Sequence, residues 1–115
     1  MRCLIVEDNK IVTLGIRKTF ESEFPDIIID TAENGQEALD QLKKSNQSEL
    51  PFFILLDINM PVMNGIEFLI EMKKIEKLSY IPTIIHTTSS SAEDYFKCKT
   101  LGVSGYFVKH IDFKE

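Results

Sequence analysis

Five residues able to do chemistry stand directly behind apolar runs: Glu7 and Asp8 after LIV, Asp57 after FFILL, Thr87 after PTIIH and Lys109 after GYFV. An ionised carboxylate at the end of a buried segment is costly unless it is paired or holds a cation. Three such groups within a few ångströms repel, each pair by about 4 kcal/mol at 4 Å separation and an effective dielectric of 20. Lys109 supplies one compensating charge, and a hard divalent cation held through oxygens supplies the rest. Mg²⁺ suits the set, because it accepts one or two protein carboxylates, keeps several waters and leaves a position for a phosphoryl oxygen. Whether the five residues meet depends on the elements that carry them.

Apolar runs rich in Ile, Val and Phe at 2–6, 27–32, 52–56, 83–86 and 105–108 predict five strands, the middle ones too continuously apolar to keep a wet face. Between them Val12, Ile16, Phe20 and Phe24, then Ala38, Leu39 and Leu42, then Ile66, Leu69, Ile70 and Met72 fall at helical spacing. A fourth helix over 93–101 rests on Tyr95, Phe96 and Leu101. Asn34 before Glu37, Asn64 before Glu67 and Ser91 before Asp94 each read as an N-cap with a carboxylate three residues on. Strands alternating with helices predict an α/β fold, a doubly wound parallel sheet covered on both faces by right-handed crossovers. Ligands of such sheets bind beyond the carboxyl ends of the strands, where the connections diverge. In the common order 2-1-3-4-5 the first and third strands are neighbours there, so Glu7, Asp8 and Asp57 converge. Only the second strand offers no obvious group.

The chain has 115 residues, 43% of them hydrophobic, which fits one domain spanning 1–115 with a single core. Its net charge is −5, from 18 acidic against 13 basic residues, and no Lys/Arg block exceeds a pair. Nothing therefore forms the positive face that a phosphate backbone needs, and direct nucleic-acid binding is not expected. The apolar run in MRCLIVEDNK is too short for a signal peptide, and no run reaches the roughly 20 residues that span a bilayer. No membrane association is expected, and the reading is a soluble, cytoplasmic protein. Cys3 and Cys98 lack metal-ligand or CxxC spacing and read as buried free thiols.

The combined pattern resembles the receiver domain of two-component response regulators, the family that includes the single-domain chemotaxis regulator. LIVEDN holds the acidic pair, LLDINMPVMNG holds Asp57, PTIIHTT holds Thr87 and GYFVK holds Lys109, and the likeness runs over essentially the whole chain. The resemblance implies a flavodoxin-like fold of five parallel strands and five helices, with Asp57 phosphorylated by a sensor histidine kinase or a phosphotransfer protein. By the same resemblance Asp8 and Asp57 ligate Mg²⁺ directly, Glu7 acts mostly through water, and the backbone carbonyl of Asn59 is a further ligand. A carboxylate can attack phosphorus to give an acyl phosphate, and the transfer needs positioning and charge neutralisation more than proton chemistry. The Thr87 hydroxyl and the Thr88 backbone N–H are the implied donors to the phosphoryl oxygens. Thr87 and Tyr106 are implied as a switch pair, read out on the fourth helix and fifth strand; the place of Tyr106 three residues before Lys109 favours this over a half-buried edge aromatic that never moves. Such a protein accepts and slowly releases its own phosphoryl group and is not a turnover enzyme.

Three features depart from the family pattern. His110 follows Lys109 where the family has proline, often cis; a cis bond before His costs about 2.5–4 kcal/mol against about 0.5–1 before proline, so either a trans bond with a shifted loop or a strained cis bond is expected. Thr88 stands where Ala or Gly is usual, which narrows the mouth above Asp57; the TTS run also resembles single-domain regulators partnered with bacterial phytochromes. The chain stops at HIDFKE, where a fifth helix should begin, so a chain complete at this point should be marginal or should oligomerise, for instance as a homodimer. A truncation before or within that helix is the expectation. Other classes fit less well: a pseudo-receiver acting as an interaction module without phosphorylation has no need of the intact acidic set. A haloacid-dehalogenase phosphatase needs a second Asp where Asn59 stands, and a flavin carrier needs a hydroxyl- and Gly-rich phosphate loop where EDNK stands.

Overall fold

The computed structural model describes residues 1–109. Five strands, β1 (Arg2–Val6), β2 (Ile28–Ala32), β3 (Phe53–Leu56), β4 (Thr83–Thr87) and β5 (Gly105–Val108), alternate with helices α1 (Lys10–Glu23), α2 (Gly35–Lys44), α3 (Gly65–Lys73) and α4 (Ala92–Thr100). A single 3₁₀ turn, Gln47–Glu49, precedes β3. All strand pairs are parallel and the order is β2-β1-β3-β4-β5, the flavodoxin-like order expected from the sequence. In register, Val6 stands beside Ala32 on one side and Leu56 on the other, so the ends of β1 and β3 are adjacent.

Because strand side chains alternate between faces, the apolar runs divide into two sets. Leu4, Val6, Ile54, Leu56 and Ile85 join a closed core with Leu39 and Leu42 of α2 and Phe68, Leu69 and Met72 of α3. Cys98 is the buried residue of α4 and Leu101 at its end packs on the core, whereas Tyr95 and Phe96, the other two residues that signalled this helix, are 37% and 64% exposed. The opposite face, carrying Phe53, Leu55, Ile84 and Phe107, meets Val12, Ile16 and Phe20 of α1 across an apolar groove of about 690 Å³. Among the described residues Phe53, Leu55 and Ile84 of this face are half-buried and Phe107 is exposed. The expected fifth helix and the Lys109–His110 bond lie outside the described residues.

The helix starts follow the cap chemistry. Asn34, Asn64 and Ser91 accept from the N–H groups of Glu37, Glu67 and Asp94. Glu67 returns the bond to the Asn64 N–H, while Glu37 accepts instead from the N–H of Glu33. Asn9, not singled out by spacing, caps α1 by accepting from Ile11 and Val12.

Cys3 and Cys98 are both fully buried. Burial pushes each thiol up to about 11, with Asp30 adding for Cys3 and Asp94 for Cys98. The thiolate is the reactive form. At pH 8 the native protein should therefore resist iodoacetamide, and both cysteines should react in denaturant. Intact mass before and after urea reads this directly; rapid alkylation of either thiol in the native protein would show that the burial is not maintained.

Candidate functional site

The carboxyl ends of β1, β3 and β5 bring four charged groups together. Ladder bonds fix the backbone at each: Glu7 N–H donates to the Ala32 carbonyl, Asp57 N–H to Val6 (3.0 Å each) and Lys109 N–H to Thr87 (2.6 Å). Glu7, Asp8 and Asp57 each present a carboxylate oxygen, and these lie within 4.8 Å of one another. Lys109 Nζ donates to Glu7 Oε1 at 2.6 Å and reaches Asp57 Oδ2 at 3.4 Å. The side chains of Lys109, Glu7 and Asp57 are only 10%, 4% and 6% exposed, whereas Asp8 faces solvent.

Burial raises the Glu7 carboxyl above the usual carboxylate range; its bonds from Lys109 and the Asn9 N–H oppose the rise and Asp57 adds to it. The Asn9 N–H to Glu7 Oε2 bond (3.1 Å) means that the residue capping α1 also holds an acidic oxygen. Asn59 is exposed, and its N–H donates to Asp57 Oδ1 at 3.4 Å. Thr87 is fully buried and its Oγ1 accepts from the Ser89 N–H at 3.2 Å. Thr88 is exposed on the same loop. Tyr106 lies on β5 beside Ile85, with its ring edge-on to Tyr95 at 5.1 Å and its buried hydroxyl without a hydrogen-bond partner. The structure thus unites the four charges but does not bond Thr87 or Tyr106 to Asp57 or to each other. His86 is half buried with its backbone beside Phe107 and its Nδ1 without a hydrogen-bond partner; burial, and Lys109 after it, lower its pKa.

The turn from β3 to α3 is held rigidly. Gly65 N–H donates to the Ile58 carbonyl at 2.9 Å, and a Cβ at Gly65 would collide with the Asp57 carbonyl oxygen. Met63 is anchored by the Gly35 N–H, which donates to its carbonyl at 2.9 Å. Between these anchors the Met63 N–H donates to the Pro61 carbonyl at 2.8 Å, closing a γ-turn centred on Val62 at φ 68°. A β-branched residue in this region is strained by about 1–2 kcal/mol. Val62 is 80% exposed, so packing does not offset the strain.

Residues 3–115 match the response regulator receiver domain family. The chain belongs to that family: it is a CheY-like receiver domain of two-component signalling. It is 33% identical over 106 residues to the chemotaxis protein CheY of Halobacterium salinarum, covering 92% of this chain and 82% of that protein. Among solved structures it is similar to the phosphorylated cyanobacterial phytochrome response regulator RcpA, with TM-score 0.89, 30% identity, and coverage of 96% of this chain and 81% of that one. It is also similar to the Mn²⁺-bound form of the response regulator Rcp1, with TM-score 0.88, 29% identity, and coverage of 97% and 83%.

Two outcomes follow from this geometry. Lys109→Ala leaves buried carboxylates unpaired and should destabilise the protein by about 3–5 kcal/mol at neutral pH. Because the Glu7 pKa is raised, Glu7 takes up a proton as pH falls through that value, so the loss should shrink under acid; urea midpoints at neutral and acidic pH check the sign. Val62→Gly should relieve the turn and stabilise by about 0.5–1 kcal/mol, the positive-φ strain less the added chain entropy of glycine, read by the same urea titration.

Proposed function

We propose that this chain is a phosphoacceptor whose Asp57 takes a phosphoryl group from a histidine kinase or phosphotransfer protein in a Mg²⁺-dependent step. The observation that carries the reading is the convergence of Glu7, Asp8 and Asp57 oxygens within 4.8 Å, with Lys109 Nζ among them. An all-oxygen donor set open to solvent at Asp8 fits a hard cation. Asp8, Asp57 and the Asn59 carbonyl would hold Mg²⁺, with Glu7, already engaged by Lys109 and Asn9, acting through water. When bound, the ion supplies positive charge to the oxygens of the transferring group.

Asp57 attacks phosphorus in line; its new P–O bond forms as the donor histidine's P–N bond breaks, and that nitrogen leaves. Lys109 pairs with one phosphoryl oxygen, and the Thr87 hydroxyl and Thr88 N–H donate to others. The Thr88 side chain at the mouth limits the approach of water, so the chain releases its phosphoryl group slowly rather than turning over as an enzyme. The added charge of about −1.5 to −2 pulls Thr87 toward Asp57 and lets Tyr106 follow, changing the α4/β5 surface. This action belongs in the cytoplasm, where such donors work, and a homodimer is part of the proposed assembly.

Intact mass after incubation with acetyl phosphate and Mg²⁺ tests the reading. Wild type should gain one phosphoryl group; it should gain none without Mg²⁺, and Asp57→Asn should gain none with it. Absence of the adduct, with beryllofluoride also leaving the protein unperturbed, would replace this reading by a pseudo-receiver that binds partners without phosphorylation.

A further inference from the structure

Asp8 is the one member of the acidic set that faces solvent, and among the described residues its side chain has no hydrogen bond or ion pair. Its carboxylate nevertheless lies within 4.8 Å of those of Glu7 and Asp57. The backbone on either side therefore sets its position. Before it, the Glu7 N–H is held in the sheet ladder by the Ala32 carbonyl at 3.0 Å. After it, the Asn9 N–H turns back and donates to Glu7 Oε2 at 3.1 Å, so Asp8 sits in a small ring closed by the Glu7 side chain.

That turn is fixed by Asn9 itself. Its Oδ1 accepts from the N–H groups of Ile11 at 2.9 Å and Val12 at 3.3 Å, and its carbonyl accepts from the Thr13 N–H at 3.1 Å and the Thr13 hydroxyl at 3.3 Å. These bonds hold Asn9 extended, at φ −88° and ψ 111°, immediately before the first turn of α1. Core packing is no substitute, because α1 contributes no fully buried residue. Glu7 Oε1 takes Lys109 Nζ and Oε2 takes the Asn9 N–H, so among the described residues Asp8 alone of this pair keeps both oxygens open.

We infer that Asn9 is a positioning residue for the cation: by capping α1 it fixes the turn that presents Asp8 and immobilises Glu7, without contacting the ion. This rests on the Mg²⁺-dependent phosphoacceptor reading and adds to it the residue that preorganises its solvent-facing ligand. An Asp8 free to move would have to be ordered as the ion binds, at a cost in affinity. Groups that orient metal ligands are commonly worth about 10–100-fold in metal affinity. Linkage is reciprocal, so an ion bound at Asp8 also tightens the cap.

Mn²⁺ serves as the probe, because the EPR spectrum of the free ion reports the unbound fraction. Asn9→Ala removes the capping oxygen and keeps the backbone N–H; it should weaken Mn²⁺ binding by about tenfold. Asn9→Ser restores a capping oxygen and should return the affinity to within about twofold of wild type. Lys18→Gly weakens the same helix at an exposed position about two turns along it. It should leave Mn²⁺ affinity unchanged even where its urea midpoint falls as far as that of Asn9→Ala. In wild type, saturating Mg²⁺ should slow amide exchange at Ile11 and Val12. Wild-type Mn²⁺ affinity in Asn9→Ala, an equal loss in Lys18→Gly, or unchanged exchange at both amides would overturn the inference. Failure of wild type to bind Mn²⁺ at all would overturn the metal-dependent reading on which it stands.

Discussion

Three carboxylates held at one end of a parallel sheet are the constraint to which the rest of this structure answers. Their oxygens lie within 4.8 Å of one another, and two of the residues are almost fully buried. Such a cluster persists only with a cation inside it. In the described structure that cation is Lys109, and its position is a backbone matter: β5 pairs with β4, and the Lys109 N–H extends the ladder to the Thr87 carbonyl. A residue 102 positions from Glu7 in sequence is thereby brought to 2.6 Å from it. The long-range pairing of the sheet and the local electrostatics are one problem, because neither β5 nor the acidic pole is tolerable without the other.

The same pole combines rigid and adjustable parts. On the β3 side the backbone is pinned by Gly65 against Asp57, by Gly35 against Met63 and by the Asn64–Glu67 box, tightly enough to hold a strained Val62. On the β4 side the loop is held by single side-chain bonds through Ser89 and Ser91. Each such bond contributes about 0.5–1.5 kcal/mol net, far less than the packing that fixes a core strand. A ligand arriving at Asp57 therefore meets an unyielding wall on one side and a low-cost degree of freedom on the other, which directs the response toward α4 and β5.

Much of this was legible in the sequence, and the exceptions share a cause. The strands appeared as runs because a parallel sheet buries both faces of its central strands, and the acidic ends stood out because carboxylates interrupt those runs. Asn34, Asn64 and Ser91 were readable as caps because capping is a local interaction of fixed spacing. The fourth helix was read from Tyr95, Phe96 and Leu101; Leu101 packs on the core with Cys98, while Tyr95 and Phe96 stay exposed, because aromatic hydrophobicity does not say which side of a short helix faces the sheet. Asn9, Val62 and Ser89 were not singled out. Asn9 holds Glu7 through its backbone N–H, Val62 is strained by anchors on either side of it, and Ser89 acts partly through its backbone. None of these properties is a function of residue type alone, although an Asn two residues after an acid and before a helical run is a cap signal that closer reading would have found.

The magnitudes also bear on how such a switch can work. Moving a two-state equilibrium from 1:99 to 99:1 takes about 5.5 kcal/mol of differential interaction. A single hydroxyl bond supplies about 1 kcal/mol, enough for a several-fold bias and no more. If the chain is the phosphoacceptor proposed above, the remainder comes from the pole itself, where a phosphoryl group would add charge beside Lys109 and offer acceptors to the Thr87 hydroxyl. On the proposed phosphoacceptor reading the tightly held acidic cluster supplies the energy, and the weakly held β4–α4 loop, fixed by bonds of about 0.5–1.5 kcal/mol each, is the part that yields to it.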